Sequence, residues 1–157
     1  RIGTGFDVHA FEPGNKIYLC GVEIPFDRSL AGHSDADVAL HALTDAILGA
    51  LALGDIGLHF PDTDKKWEKA DSMIFLNWSI KQAKQRNLEL SNIDLTIICE
   101  KPKINNFREQ LIANLSKICS LEHDKINVKA TTTEGLGFTG REEGIASICS
   151  ILLYETS

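Results

Sequence analysis

The sequence predicts an α/β domain of the α+β sandwich type, in which a mixed β-sheet packs on helices. Three observations carry this. Apolar and polar residues alternate in Ile93-Asp94-Leu95-Thr96-Ile97, the period of a half-buried strand. Leu43, Ile47 and Leu51, with alanines between them, recur instead at helical spacing. The two kinds of segment are interleaved, with no linker, low-complexity tract or internal repeat between them. At 157 residues the chain has the size of one domain, taken as 1–157. Such a domain buries roughly 70% of its unfolded surface without covalent staples.

Arg1 to His9 reads as a strand whose glycines mark close backbone approach. After a Pro13-Gly14 turn, Lys16 to Cys20 and Val22 to Ile24 form short β-runs around Gly21. Ser34 or Asp35 is the expected N-cap of a helix running to about Leu53, with Gly54 as its left-handed stop. A loop from Asp55 to Asp64 precedes a second helix from Ala70 to Arg86 that ends near Asn87. A strand through Ile93, Leu95, Ile97 and Cys99 follows, then a third helix through Phe107, Leu111, Leu115 and Ile118. Strands from Ile126 to Thr131 and from Ile145 to Tyr154 complete the order.

Composition narrows the function classes. Hydrophobic residues make up 43% and charged residues 24%, ordinary values for a soluble globular chain. No apolar run approaches the ~18 residues of a spanning helix. A net charge of -6 argues against a general nucleic-acid binder. It also means that an anionic substrate must be met by metal ions, backbone amides and a few local cations. Cys20, Cys99, Cys119 and Cys149 form no CxxC pair and lie in apolar segments, as reduced, buried thiols would. No signal or transit segment is visible, and a start at Arg1 leaves room for a leader or a fused upstream domain.

Asp7-Val8-His9 places a carboxylate and an imidazole two residues apart, on one face of a strand, with Val8 packing behind. With His41 they form a donor set suited to Zn²⁺ or a similar divalent ion, and three protein ligands leave a fourth, catalytic position open. Asp37 and Asp45 lie four residues either side of His41, so either carboxylate could accept its second ring N–H. Thr131-Thr132-Thr133-Glu134 through Gly140-Arg141 offers hydroxyls, glycines, a carboxylate and an arginine, a phosphate cradle in which Glu134 could hold Mg²⁺. Glu100-Lys101-Pro102-Lys103 places two cations after a strand end, and Phe60-Pro61-Asp62-Thr63-Asp64 has the composition of a turn. Taken singly, each segment is also what an ordinary strand, loop or surface turn would show.

Together and in this order, these segments resemble the 2-C-methyl-D-erythritol 2,4-cyclodiphosphate synthase family over essentially the whole chain. The resemblance rests on Arg1-Ile2-Gly3 through Phe6-Asp7-Val8-His9, His33-Ser34-Asp35, Asp37 to Leu43, Asp55-Ile56-Gly57, Phe60 to Asp64, and Thr131 to Arg141. Ala36 stands where the family often has glycine, and Asn105 where it is often apolar.

The resemblance implies a lyase of the non-mevalonate isoprenoid pathway. It would cyclise 4-diphosphocytidyl-2-C-methyl-D-erythritol 2-phosphate to the 2,4-cyclodiphosphate and release CMP. The substrate's own 2-phosphate attacks, and the sequence offers no Gly-x-Ser-x-Gly or electropositive cysteine as a competing nucleophile. By the same resemblance, Zn²⁺ (or Mn²⁺ or Co²⁺) sits on Asp7, His9 and His41, and Mg²⁺ (or Mn²⁺) on Glu134 with the diphosphate. His33 and Thr132 stabilise developing charge. Asp7, Val8 and His9, with His33, Ser34 and the loop Phe60, Pro61, Asp62, Thr63 and Asp64, hold the phosphate end. Asp55, Ile56 and Gly57 take the ribose. Cys99, Glu100, Lys101, Pro102, Lys103, Ile104 and Asn105, with Ala130 and Thr131, take the cytosine, and Thr132, Thr133 and Glu134 are further substrate contacts. A homotrimer is implied, with Phe138 and Arg141 at a central cavity for an isoprenoid diphosphate, no nucleic acid or membrane partner, and a bacterial cytoplasmic or plastid location. A metal-dependent phosphohydrolase and a non-catalytic trimeric binder of isoprenoid diphosphates are the alternatives.

Overall fold

The computed structural model describes residues 1–157. Seven strands and five helices follow one another: β1 Ile2–Pro13, β2 Lys16–Leu19, β3 Val22–Pro25, β4 Arg28–Leu30, α1 Val38–Ala50, α2 Ile56–His59, α3 Ser72–Lys84, β5 Leu88–Ile98, α4 Arg108–Cys119, β6 Ile126–Thr131, α5 Gly137–Gly140 and β7 Gly144–Glu155. Five strands form one sheet in the order β4-β1-β7-β5-β6, and β2 pairs with β3 separately. Only β5 and β6 run parallel, so the sheet is mixed, as expected.

The helices cover one face of the sheet, and a single cluster of 35 buried residues lies between the layers. The other face of β1 and β7 carries Ile2, Phe6, Val8, Ile148 and Leu152, all exposed. Val8 therefore does not pack behind Asp7 and His9; it belongs to this open face. No helix is long and apolar enough to cross a membrane.

Two glycines decide how closely α1 lies on β1. A Cβ at Gly3 would sit 1.8 Å from the Ala46 carbonyl oxygen, and one at Gly5 2.0 Å from that of Ala42. Every other residue of β1 faces the helix, so Gly3, Gly5, Asp7 and His9 share one row. The glycine rungs clamp the helix, and the next rungs carry the ligands.

Several element ends differ from the sequence reading. The N-cap of α1 is Asp37, not Ser34 or Asp35, and its carboxylate accepts from the Leu40 N–H. The same carboxylate accepts from the Cys20 N–H at 3.0 Å and the Gly21 N–H at 2.7 Å, so tertiary contacts choose among three adjacent cap-competent side chains. The helix stops at Ala50, because Ala52 already turns into the left-handed region at φ 57°, ahead of Gly54 at 79°. Ala36 has φ 57°, the conformation that glycine adopts without strain. In β5 a bulge between Leu90 and Asn92 reverses the alternation, so Leu88 and Leu90 extend a strand whose later rhythm begins at Ile93.

Candidate metal centre and nucleotide pocket

β1 and α1 bring Asp7, His9 and His41 to one point. Asp7 Oδ2 lies 2.9 Å from His9 Nε2 and 3.0 Å from His41 Nδ1, and the two imidazole nitrogens are 3.1 Å apart. Four-coordinate Zn²⁺ with bonds of ~2.0–2.1 Å would space its ligand atoms about 3.3 Å apart. The observed triangle is slightly tighter, a shape that small outward shifts would adapt to an ion.

The outer nitrogens explain why these three atoms face inward. His9 Nδ1 is 2.9 Å from the Ala31 carbonyl, which can only accept, so this nitrogen carries the proton and Nε2 keeps a lone pair. His41 Nε2 meets Ser72 Oγ at 2.7 Å and Ser34 Oγ at 3.1 Å. The His9 lone pair, a carboxylate oxygen and His41 Nδ1 thus converge, a donor set that could hold a metal ion. Burial pushes the Asp7 carboxyl up, but the neighbouring imidazoles of His41 and His9 outweigh it and hold the group at about 2. Burial pulls His9 down, yet its bond to Asp7 raises it overall.

Neither Asp37 nor Asp45 holds the ring of His41, contrary to expectation. Asp37 caps α1, and Asp45 accepts from the Ile56 N–H at 2.9 Å, tethering α2. Burial raises both carboxyls, Asp37 to about 6. Sequence spacing missed Ser72 because it lies 31 residues from His41, on a different helix.

His33 and the loop after α2 border this centre. His33 Nε2 is 3.4 Å from the Asp64 carbonyl, and the Lys69 N–H donates to the His33 carbonyl at 2.6 Å. Ser34 faces the ring of His41. Phe60 is buried, its ring packed against Phe75, Trp67 and Trp78, so only its backbone remains for a ligand. Pro61, Asp62, Thr63 and Asp64 are exposed. Asp55 caps α2 through the Leu58 N–H, beside Ile56 and Gly57.

A second concavity, of about 180 Å³, is lined by Cys99, Glu100, Pro102, Lys103, Ile104, Asn105, Ala130, Thr131 and Thr132. The exposed Lys101 turns instead toward Glu142, at 3.9 Å. Glu100 ties this pocket to the following loop, its Oε1 accepting from the Thr133 and Gly135 N–H groups, both at 3.2 Å. Between them Glu134 has φ 54°, and its N–H bonds Thr132 Oγ1 at 3.3 Å. Burial pushes the Cys99 thiol to about 11, so it is protonated at neutral pH and no thiolate lines the pocket. Phe138 is exposed, and Arg141 is paired with Glu143 at 3.1 and 3.3 Å.

The two concavities are apart within one chain. Asp7, Ser147, Ile97 and Ala130 lie in one row across β1, β7, β5 and β6. Three strand spacings separate the ends of that row, about 14 Å.

Comparison with known proteins identifies the family. The sequence profile of the YgbB family matches residues 1–154. A 2-C-methyl-D-erythritol 2,4-cyclodiphosphate synthase of Cereibacter sphaeroides is 54% identical over 99% of this chain and 98% of its own length. A bifunctional IspD/IspF enzyme of Paracoccus denitrificans is 57% identical over 99% of this chain, which spans 41% of that longer protein. The chain likewise covers about two fifths of the other bifunctional relatives first matched. Among solved structures, a 2C-methyl-D-erythritol-2,4-cyclodiphosphate synthase in its CDP-bound form superimposes with a TM-score of 0.90 at 39% identity, covering 98% of this chain and all of the other. The chain belongs to the YgbB family.

Proposed function

We propose that this chain cyclises 4-diphosphocytidyl-2-C-methyl-D-erythritol 2-phosphate to 2-C-methyl-D-erythritol 2,4-cyclodiphosphate with release of CMP. The observation that carries the reading is the convergence of Asp7, His9 and His41, with the outer nitrogen of each imidazole already engaged by the protein. Ions bound there and at Glu134 would supply charge neutralisation and polarisation of the diphosphate. The chain's own residues do the remaining work of positioning, which dominates phosphoryl transfer. The nucleotide end enters the pocket between Lys103 and Ala130–Thr132, while His33, Ser34 and the 60–64 loop receive the methylerythritol phosphate. His33 and Thr132 donate to oxygens on which charge develops. The attacking oxygen belongs to the substrate, consistent with the absence of a free thiolate in the pocket.

The same reading makes the working unit a homotrimer, with the metal face of one copy against the nucleotide pocket of the next. Support comes from the exposed apolar face of β1 and β7 and from the three strand spacings, about 14 Å, between the strands β1 and β6 that carry the two concavities. An isoprenoid diphosphate reaching Arg141 would have to displace Glu143. The expected location is the bacterial cytoplasm. Phosphorus NMR of the metal-loaded protein with the cytidylyl substrate tests the reaction: cyclic diphosphate and CMP are expected. A linear phosphate product would indicate a hydrolase, and an unchanged substrate spectrum a binding protein.

A further inference from the structure

Ser72 is fully buried at the first turn of α3, and its hydroxyl stands between two groups. On one side it donates to Asp35 Oδ1, while the Ser72 N–H donates to Asp35 Oδ2 at 3.0 Å. On the other side lies His41 Nε2, at 2.7 Å. A hydroxyl has one proton. Because it is given to the carboxylate, the oxygen presents only lone pairs to His41, and a bare ring nitrogen at that distance would be repelled. His41 Nε2 must therefore carry hydrogen, and in the neutral ring Nδ1 is then the bare nitrogen, on the side of Asp7 and His9. Ser34 Oγ, farther away at 3.1 Å, can accept or donate and does not decide the matter.

The surrounding backbone makes this arrangement rigid. The Asp35 N–H donates to the Ala70 carbonyl at 3.1 Å and the Lys69 N–H to that of His33, so the 33–35 and 69–72 segments are laced together. Asp35 also accepts from the Asp37 N–H at 3.1 Å, fixing it against the start of α1.

We propose that Asp35 and Ser72 form a carboxylate–hydroxyl–imidazole relay that locks His41 in its Nε2–H tautomer and so presents Nδ1 to the metal. Both are positioning residues, and the proposal rests on the reading of Asp7, His9 and His41 as a metal triad. His9 needs only a backbone carbonyl for the same purpose, since Ala31 O has no proton to offer. His41, facing two hydroxyls that could each point either way, needs the carboxylate to break the tie.

The test uses metal-free protein with ¹⁵N-labelled histidine at about pH 8.5, above the ordinary imidazole range, and long-range ¹H–¹⁵N correlation to read which nitrogen of His41 bears hydrogen. Wild type is expected to show protonated Nε2 and bare Nδ1. In Ser72→Ala the population should move toward Nδ1–H, facing Asp7, and zinc affinity measured against a competing chelator should fall about 10–100-fold. Ser72→Thr, which keeps the hydroxyl, should restore both. A wild-type ring protonated at Nδ1, or a Ser72→Ala ring that stays Nε2–H, overturns the relay even if zinc affinity has dropped, because the effect is then one of packing. Failure of wild type to bind zinc would instead overturn the metal reading, while the tautomer measurement still decides the relay.

Discussion

At the scale of the residue, the triad and its surroundings have different sensitivities. His41→Ala removes one of three donors from a rigid helix with no replacement nearby, so tightly bound metal should be lost on dialysis, as elemental analysis will show. Asp45→Asn should retain a full equivalent of metal, because Asp45 holds the Ile56 N–H and not His41; metal loss in that variant would place Asp45 in the centre after all. Glu134→Gln keeps shape but loses the charge that a hard cation prefers. Turnover should then need more Mg²⁺ while the triad's metal stays bound, and an unchanged Mg²⁺ dependence would remove Glu134 from that role. Asp7 and His9 were legible in the sequence because strand geometry fixes what residues two apart can share. Ala31 and Ser72, which orient the rings, were not: they lie 22 and 31 residues from their partners, and no periodicity records such contacts. The carboxylates four residues from His41 shared its helix face, but each was engaged by backbone amides that spacing could not reveal.

At the scale of the element, the contact of β1 with α1 places the ligands. Gly5→Ala would drive a methyl group into the Ala42 carbonyl, one residue from His41. The expected cost is about 1–3 kcal/mol or more by denaturant unfolding, with weaker metal binding because the helix is pushed from the strand. A variant of wild-type stability and affinity would show that the contact is slack. Asp37→Asn keeps a cap but turns an NH₂ group toward an amide N–H of the β2–β3 turn, a cost of about 1–3 kcal/mol. The deficit should depend on pH. Asp37 sits at about 6 when folded, above the ordinary 3.8, so its contribution is full below about 3.8 and is lost as pH rises through 6. Asparagine does not titrate, and its deficit should narrow over that window. The alternating and helical segments were readable because core-facing periodicity dictates them. β4 and the four-residue helices escaped notice, since three or four residues establish no period, and the bulge at Ser91 hid the first half of β5 by reversing its phase.

At the scale of the whole molecule, the chain has one finished face and one unfinished face. The helical side buries its core, while Ile2, Phe6, Val8, Ile148 and Leu152 project from the other side of β1 and β7. Burying such a row against copies of itself would stabilise an assembly and could join the two concavities that one chain holds apart. Nothing in sequence periodicity tells an outward apolar row from a second core face, so the assembly was expected from family resemblance alone. The measurement that tests the account most directly mixes inactive His41→Ala chains with inactive Lys103→Ala chains after dissociation and reassembly. Metal faces and nucleotide pockets that meet across subunit boundaries predict that some boundaries regain both intact parts and that cyclic diphosphate formation returns. Persistent inactivity in verified mixed assemblies would contradict the shared site and place the whole reaction within one chain.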